Sequence, residues 1–118
     1  MSHLVLVGLM GAGKSTVGRA CAERLGRPFV DVDETVEAIT GRPVTDIFAA
    51  DGEAAFRALE RRTLADVCAS PDPLVIACGG GAMGDADNRR VARAAGCVVW
   101  LTADPATLAA RVGAGEEA

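Results

Sequence analysis

Residues 8–16 read GLMGAGKST, in which Gly8 is followed by four residues and then Gly13-Lys14-Ser15. This is the spacing of a loop that wraps the phosphates of a bound nucleotide. Gly8, Gly11 and Gly13 permit backbone shapes and close approach that a Cβ would block, so successive N–H groups can point at phosphate oxygens. Lys14 would reach the β- and γ-phosphates and the Ser15 hydroxyl would ligand Mg²⁺. Lys14 is the one lysine beside eleven arginines, and it falls in this loop. A plain strand-turn-helix would also use glycines, but it would need neither the lysine nor the hydroxyl. Such a loop identifies what is held and leaves open which group receives the phosphoryl.

Candidates for the acceptor side lie downstream. A Mg²⁺ site of this kind commonly takes an acid from the end of a neighbouring strand, yet the run LVIAC at 74–78 leads into glycines. Asp31 and Asp33, in FVDVD, are two apart and read as one face of a strand at the loop end of the sheet. Asp31 would hold a metal-bound water, and Asp33 could accept or orient an alcohol proton; capping of the next helix is the alternative for Asp33. Arg57 and Glu60, three apart on a helix, read as a pair pointing away from Phe56 and Leu59. That pair is either a surface salt bridge or a bidentate grip on a small carboxylate. Gly79, Gly80 and Gly81 leave a bare backbone at a strand end, open either to a substrate or to a flexible turn.

The elements that must position these groups alternate. HLVLVG reads as a buried strand, and Lys14 to Leu25 as a helix whose apolar stripe is Val17, Ala20, Cys21 and Leu25, closed by Gly26 and Pro28. Residues 29–33 read as a second strand, followed by a helix from Glu34 to Thr40, a short turn over 45–50 and a long helix from Gly52 to Cys68 with Phe56, Leu59, Thr63 and Val67 inward. A third strand spans 74–78, a helix 87–95 and a fourth strand 97–101, and Asp104-Pro105 opens a last helix ending near Val112. Alternation of this kind predicts a parallel sheet with helices on both faces and ligands at the carboxyl ends of the strands.

Composition narrows the function further. The 118 residues make about one domain, short for a nucleotide-using enzyme with its own lid. A net charge of −4 without long like-charge runs argues against a nucleic-acid partner. Cys21, Cys68, Cys78 and Cys97 lack C-x-x-C spacing and read as buried free thiols, and His3, the one histidine, falls in a terminus expected to fray. Neither zinc nor a structural disulfide is expected. Without a signal-peptide pattern or a membrane-length apolar run, a soluble cytoplasmic protein is predicted.

GLMGAGKST, DVD, DIFAADGEAAFRALE and CGGGA, in this order and spacing, together resemble the shikimate kinase family over essentially the whole chain. The resemblance implies a three-layer α/β fold of the P-loop nucleoside-monophosphate-kinase type, with four of the family's five parallel strands present. It implies transfer of the ATP γ-phosphoryl to the 3-hydroxyl of shikimate, with Mg²⁺, on the route to chorismate and the aromatic amino acids. Gly11, Ala12, Gly13, Lys14, Ser15 and Thr16 then match the ATP loop, Ser15 and Asp31 the Mg²⁺ site, and Lys14 and Asp33 the catalytic groups. Asp33, Arg57, Glu60, Gly79, Gly80 and Gly81 match the shikimate site, with Phe48 and Phe56 as lining aromatics. The partner implied is a small molecule rather than nucleic acid or membrane, and the complete protein would be a monomer. Family members carry a lid arginine, a second carboxylate-binding arginine and a fifth strand beyond the matched region. Residues 1–118 are therefore expected to be the front part of one kinase domain, binding nucleotide better than turning it over. The alternatives are another small-molecule kinase, such as one for gluconate, or a catalytically silent nucleotide-binding module.

Overall fold

The computed structural model describes residues 2–8 and 14–101. Gly11, Ala12 and Gly13 of the phosphate loop, and the last predicted helix at 104–112, lie outside the described residues. In chain order the elements are β1 (His3–Gly8), α1 (Lys14–Leu25), β2 (Phe29–Asp31), α2 (Val32–Thr40), α3 (Val44–Asp51), α4 (Glu53–Cys68), β3 (Val75–Ala77), a 3₁₀ turn (Ala82–Gly84), α5 (Ala86–Ala95) and β4 (Gly96–Leu101). No described helix is long and apolar enough to cross a membrane.

The four strands are parallel in the order β2-β3-β1-β4, with Leu4 opposite Val75 and Cys97, and Asp31 opposite Ala77. The central strands are buried on both faces, which is why they read as continuous apolar runs rather than alternating ones. From β1 the chain crosses to β2 on one side, and from β3 it crosses to β4 on the other. The connections therefore diverge between β1 and β3, opening a crevice at their carboxyl ends.

Helices cover both faces. Val5, Val7, Ile76 and Cys78 pack with Leu64 of α4 and Ala92 of α5, while Leu6 and Val75 meet Ala22 of α1 on the opposite face. Val36, Ile47 and Phe56 form a satellite core joining α2, α3 and α4. Between α3 and α4 a single residue, Gly52, ends one helix and starts the next at φ 90°, a conformation closed to side chains with a Cβ.

Three expectations are corrected here. Of the stripe assigned to α1 only Cys21 packs on the sheet: Val17, Ala20 and Leu25 are exposed, and the helix lies on the sheet through Gly18 and Ala22. The Phe29 ring rests directly over Gly18, where any Cβ would collide with it, so the inward stripe is made of small residues that apolar periodicity does not reveal. Residues 44–51 form a helix rather than a turn, because Val44, Ile47 and Phe48 reach the satellite core together. Cys97 is exposed, Cys21 and Cys68 are partly buried, and Cys78 alone among the free cysteines is fully buried. Burial pushes the Cys78 thiol up to about 12.

His3 also departs from its expected place in a frayed end. It is 4% exposed, and its Nδ1 accepts the Leu74 N–H at 3.0 Å while Nε2 faces the Cys68 carbonyl at 3.1 Å. The imidazole thus ties the start of β1 to the end of α4 and the approach to β3. Replacing it with alanine would strand a buried donor and acceptor, and His3→Ala is expected to lower unfolding stability by about 2 kcal/mol. Urea unfolding with an unchanged midpoint would show that the ring carries no such load.

Candidate active site

The crevice between β1 and β3 holds a cavity of about 390 Å³ lined by Lys14, Ser15, Asp31, Asp33, Ala77, Cys78, Gly79, Gly80 and Gly81. Three strand ends supply it. Lys14 and Ser15 open α1 after β1, Asp31 ends β2 and Asp33 follows it, and the glycines follow β3. Groups far apart in sequence are brought together because parallel strands present all their carboxyl ends on one edge.

Asp31 and Asp33 reach the cavity by a different route from the predicted one. β2 ends at Asp31, whose Oδ1 accepts the Glu34 N–H at 3.1 Å and whose carbonyl accepts the Thr35 hydroxyl at 2.8 Å. Asp31 is therefore the helix cap, and Asp33 sits in the first turn of α2 rather than on a strand. Val32 and Val36, four apart and both fully buried, are the helical signal that the DVD pattern hid.

Burial is the main cause that raises the Asp33 carboxyl from 3.8 to about 6, helped by Asp31 and Glu60 and opposed by Arg57. Its Oδ1 is buried and has no hydrogen-bond partner among the described residues. Lys14, whose Nζ donates to the Gly8 carbonyl at 2.7 Å, is also buried. Desolvation lowers its pKa, while Asp33 and Asp31 pull it back up. One cation thus shares the cavity with two carboxylates, one of which burial makes harder to ionise.

The glycine run is a contact surface. A Cβ on Gly79 would lie 2.8 Å from Asp33 Oδ2, and one on Gly81 would collide with the Arg57 guanidinium. Behind it, Arg57 Nη1 donates to Glu60 Oε1 at 2.9 Å. Glu60 is 1% exposed, and its Oε2 has no hydrogen-bond partner among the described residues. The expected surface pair is thus a half-exposed arginine anchored on a buried carboxylate. The inward stripe of α4 is Phe56, Glu60, Thr63 and Leu64, with Glu60 at its centre.

Other predicted site residues sit outside the cavity. Thr16 is exposed on α1. Phe48 and Phe56 stack with ring centroids 4.7 Å apart, and Arg57 Cζ lies 5.4 Å from the Phe56 centroid. Phe56 therefore lies under Arg57 with Phe48 against it, and neither ring lines the cavity. Two features escaped the sequence reading: Cys78 lines the cavity, and a polar clamp from α4 and α5 holds the loop after the glycines. The aspartate at 85, placed just before the helical pattern, was a signal for the second; Cys78 had none beyond its neighbours.

The comparisons agree with this geometry. A shikimate kinase from Symbiobacterium thermophilum is 57% identical over 106 residues, 90% of this chain and 60% of that protein. One from Paramagnetospirillum magneticum is 54% identical over 101 residues, 86% of this chain and 51% of that protein. The solved shikimate kinase from Acinetobacter baumannii, in complex with shikimate, superposes with a TM-score of 0.89 at 41% identity, covering 95% of this chain and 62% of that one. The chain thus spans about half to two thirds of the length of these relatives. The shikimate kinase family model matches residues 10–117, and with its parallel sheet, its phosphate-loop lysine and its glycine-lined strand end, the chain belongs to the shikimate kinase family.

Proposed function

We propose that residues 1–118 belong to a single P-loop kinase domain that transfers the γ-phosphoryl of ATP to the 3-hydroxyl of shikimate. The product, shikimate 3-phosphate, would feed chorismate and aromatic amino-acid synthesis in the cytoplasm. The observation that carries this reading is the convergence on one cavity of Lys14 and Ser15, the two aspartates, and a glycine edge backed by Arg57.

Each residue then has a role. Lys14 neutralises charge on the transferring phosphates, and the start of α1 adds its positive end. Asp33 accepts or orients the proton of the attacking hydroxyl, a task suited to a carboxyl held near 6. Arg57, oriented by Glu60, grips the shikimate carboxylate with its planar fork, and Gly79 to Gly81 let the substrate lie against backbone. Mg²⁺ fits the donor set: Ser15 and Asp31 offer the hard oxygens that this ion prefers, and they share the cavity with Lys14. When bound, Mg²⁺ would offset charge on the phosphates.

Gly81→Ala tests the contact edge. The colliding atoms belong to the tip of a long side chain, so the fold should survive while Arg57 is pushed aside. Shikimate affinity is expected to fall by about tenfold or more, with a smaller loss of unfolding stability than in Arg57→Leu because the guanidinium remains beside Glu60. Unchanged affinity would show that Arg57 does not need this close approach.

A single-turnover assay with γ-labelled ATP across shikimate, gluconate and other hydroxy acids tests the reaction. Label is expected in shikimate. Label in gluconate or another hydroxy acid in preference to shikimate would overturn the proposal.

A further inference from the structure

Asn88, near the start of α5, is 1% exposed and takes no part in the roles above. Its Nδ2 donates to the carbonyl of Ala82 at 3.0 Å in a buried setting. Ala82 directly follows the glycine run and is itself fully buried, its N–H bonded to the Gly79 carbonyl at 3.1 Å. The Gly84 N–H bonds to the Gly81 carbonyl at 3.2 Å, and the Asp85 N–H bonds to the same Ala82 carbonyl as Asn88, at 3.3 Å. The loop from Gly79 to Asp85 is therefore wound into a tight turn whose central carbonyl is held by Asn88.

The far end of this turn is held as well. Asp85 Oδ1 caps α5 by accepting the Asp87 and Asn88 N–H groups, and its Oδ2 accepts from Arg61 Nε at 3.0 Å. Arg61 and Arg57 are four apart on α4, so one helix meets the loop twice: at Asp85 through the first arginine and at Gly81 through the second. Any shift of Ala82 moves Gly81, and with it the surface against which the Arg57 guanidinium lies.

We propose that Asn88 is a positioning residue for recognition of the acceptor: its buried amide fixes the glycine turn, and the turn fixes Arg57 for a small hydroxylated carboxylate. The inference rests on the assignment of Arg57 to the acceptor carboxylate made above. A residue serving only stability would change unfolding without changing the balance between acceptor and nucleotide.

Asn88→Leu removes the donor while keeping similar bulk. It is expected to weaken shikimate binding by about tenfold, the effect of one lost buried hydrogen bond, while affinity for Mg·ADP stays as in the wild type. Amide exchange at Ala82, Gly84 and Asp85 should accelerate together. Ala92→Gly, on the same helix and away from the loop, serves as the control: it should lower the unfolding temperature without either change. Wild-type shikimate affinity in Asn88→Leu, or unchanged exchange across the loop, would overturn the proposal. If Asn88→Leu does not fold, the wild-type protein decides through its Asn88 side-chain amide, which should exchange slowly, and exchange at the rate of an exposed asparagine would refute the bond. Absence of shikimate binding in the wild type would defeat the acceptor reading separately, leaving loop exchange to decide whether Asn88 holds the turn.

Discussion

Asp33→Asn is expected to reduce phosphoryl transfer to shikimate by about 10²- to 10⁴-fold, the usual contribution of a positioned general base, and at the same time to stabilise the fold. Both effects come from the same burial. The folded carboxyl titrates at about 6 against an ordinary value of 3.8, so between these values the folded state binds more protons than the unfolded one. Stability from this group is then fully present below about 3.8 and is lost as pH rises through about 6. At pH 7 the ionised side chain is a net burden. The full linkage would be about 3 kcal/mol, and partial solvent access reduces the expectation to about 1–2 kcal/mol. Asparagine removes that burden, so the unfolding temperature at pH 7 should rise while activity collapses. The wild-type kcat/KM should climb with pH to a plateau above about 6, and the residual activity of the variant should lack that limb. Near-normal turnover in Asp33→Asn would eliminate the base role, and an unchanged or lower unfolding temperature would contradict the electrostatic assignment.

Loss of Arg57 should act on binding and stability through separate partners. Two charge-assisted hydrogen bonds to a carboxylate are each worth about 1.5–3 kcal/mol, so Arg57→Leu is expected to weaken shikimate binding by about 10²- to 10³-fold or more. Lysine should rescue only part of this, since it lacks the planar fork. The stability effect has another source. Glu60 has one carboxylate oxygen on Arg57 and the other without a described partner, at 1% exposure. Removing the guanidinium leaves a buried carboxylate uncompensated, at a cost of about 3 kcal/mol. Arg57→Leu combined with Glu60→Leu should recover most of that stability and none of the binding. Denaturant unfolding and calorimetry on the three variants separate the terms. Retained shikimate affinity in Arg57→Leu would remove the arginine from the acceptor site, and a double variant no more stable than the single would show that Glu60 was not stranded.

Much of this was legible in the residues themselves. The spacing around Lys14 and Ser15 marks the phosphate loop, and the buried central strands announce a parallel sheet by their unbroken apolar runs. Legibility failed where a small or polar residue occupies a position that an apolar one usually marks. Gly18 faces the sheet because the Phe29 ring demands the space, so α1 carries its stripe on the wrong side of a hydrophobicity count. Glu60 lies on the buried face of α4 with Arg57 as its ion-pair partner, whereas helical spacing alone placed it on the surface. The DVD segment satisfies strand alternation as well as a helix start, and the bond from Glu34 N–H to Asp31 decides between them. His3 could not have been located at all, since its partners are a backbone carbonyl and an N–H group 65 and 71 residues away, and Asn88 could not because its partner, the Ala82 carbonyl six residues back, is set by a turn that the glycine run leaves open.

The most direct test is titration calorimetry of the wild-type chain with Mg·ADP and then with shikimate, repeated on Arg57→Leu. Saturable binding of both ligands to the wild type, with the shikimate heat lost and the nucleotide heat kept in the variant, is the expected result. Nucleotide binding without any shikimate heat in the wild type, or equal shikimate binding in the two proteins, would contradict the assignment of Arg57 and the glycine edge to the acceptor.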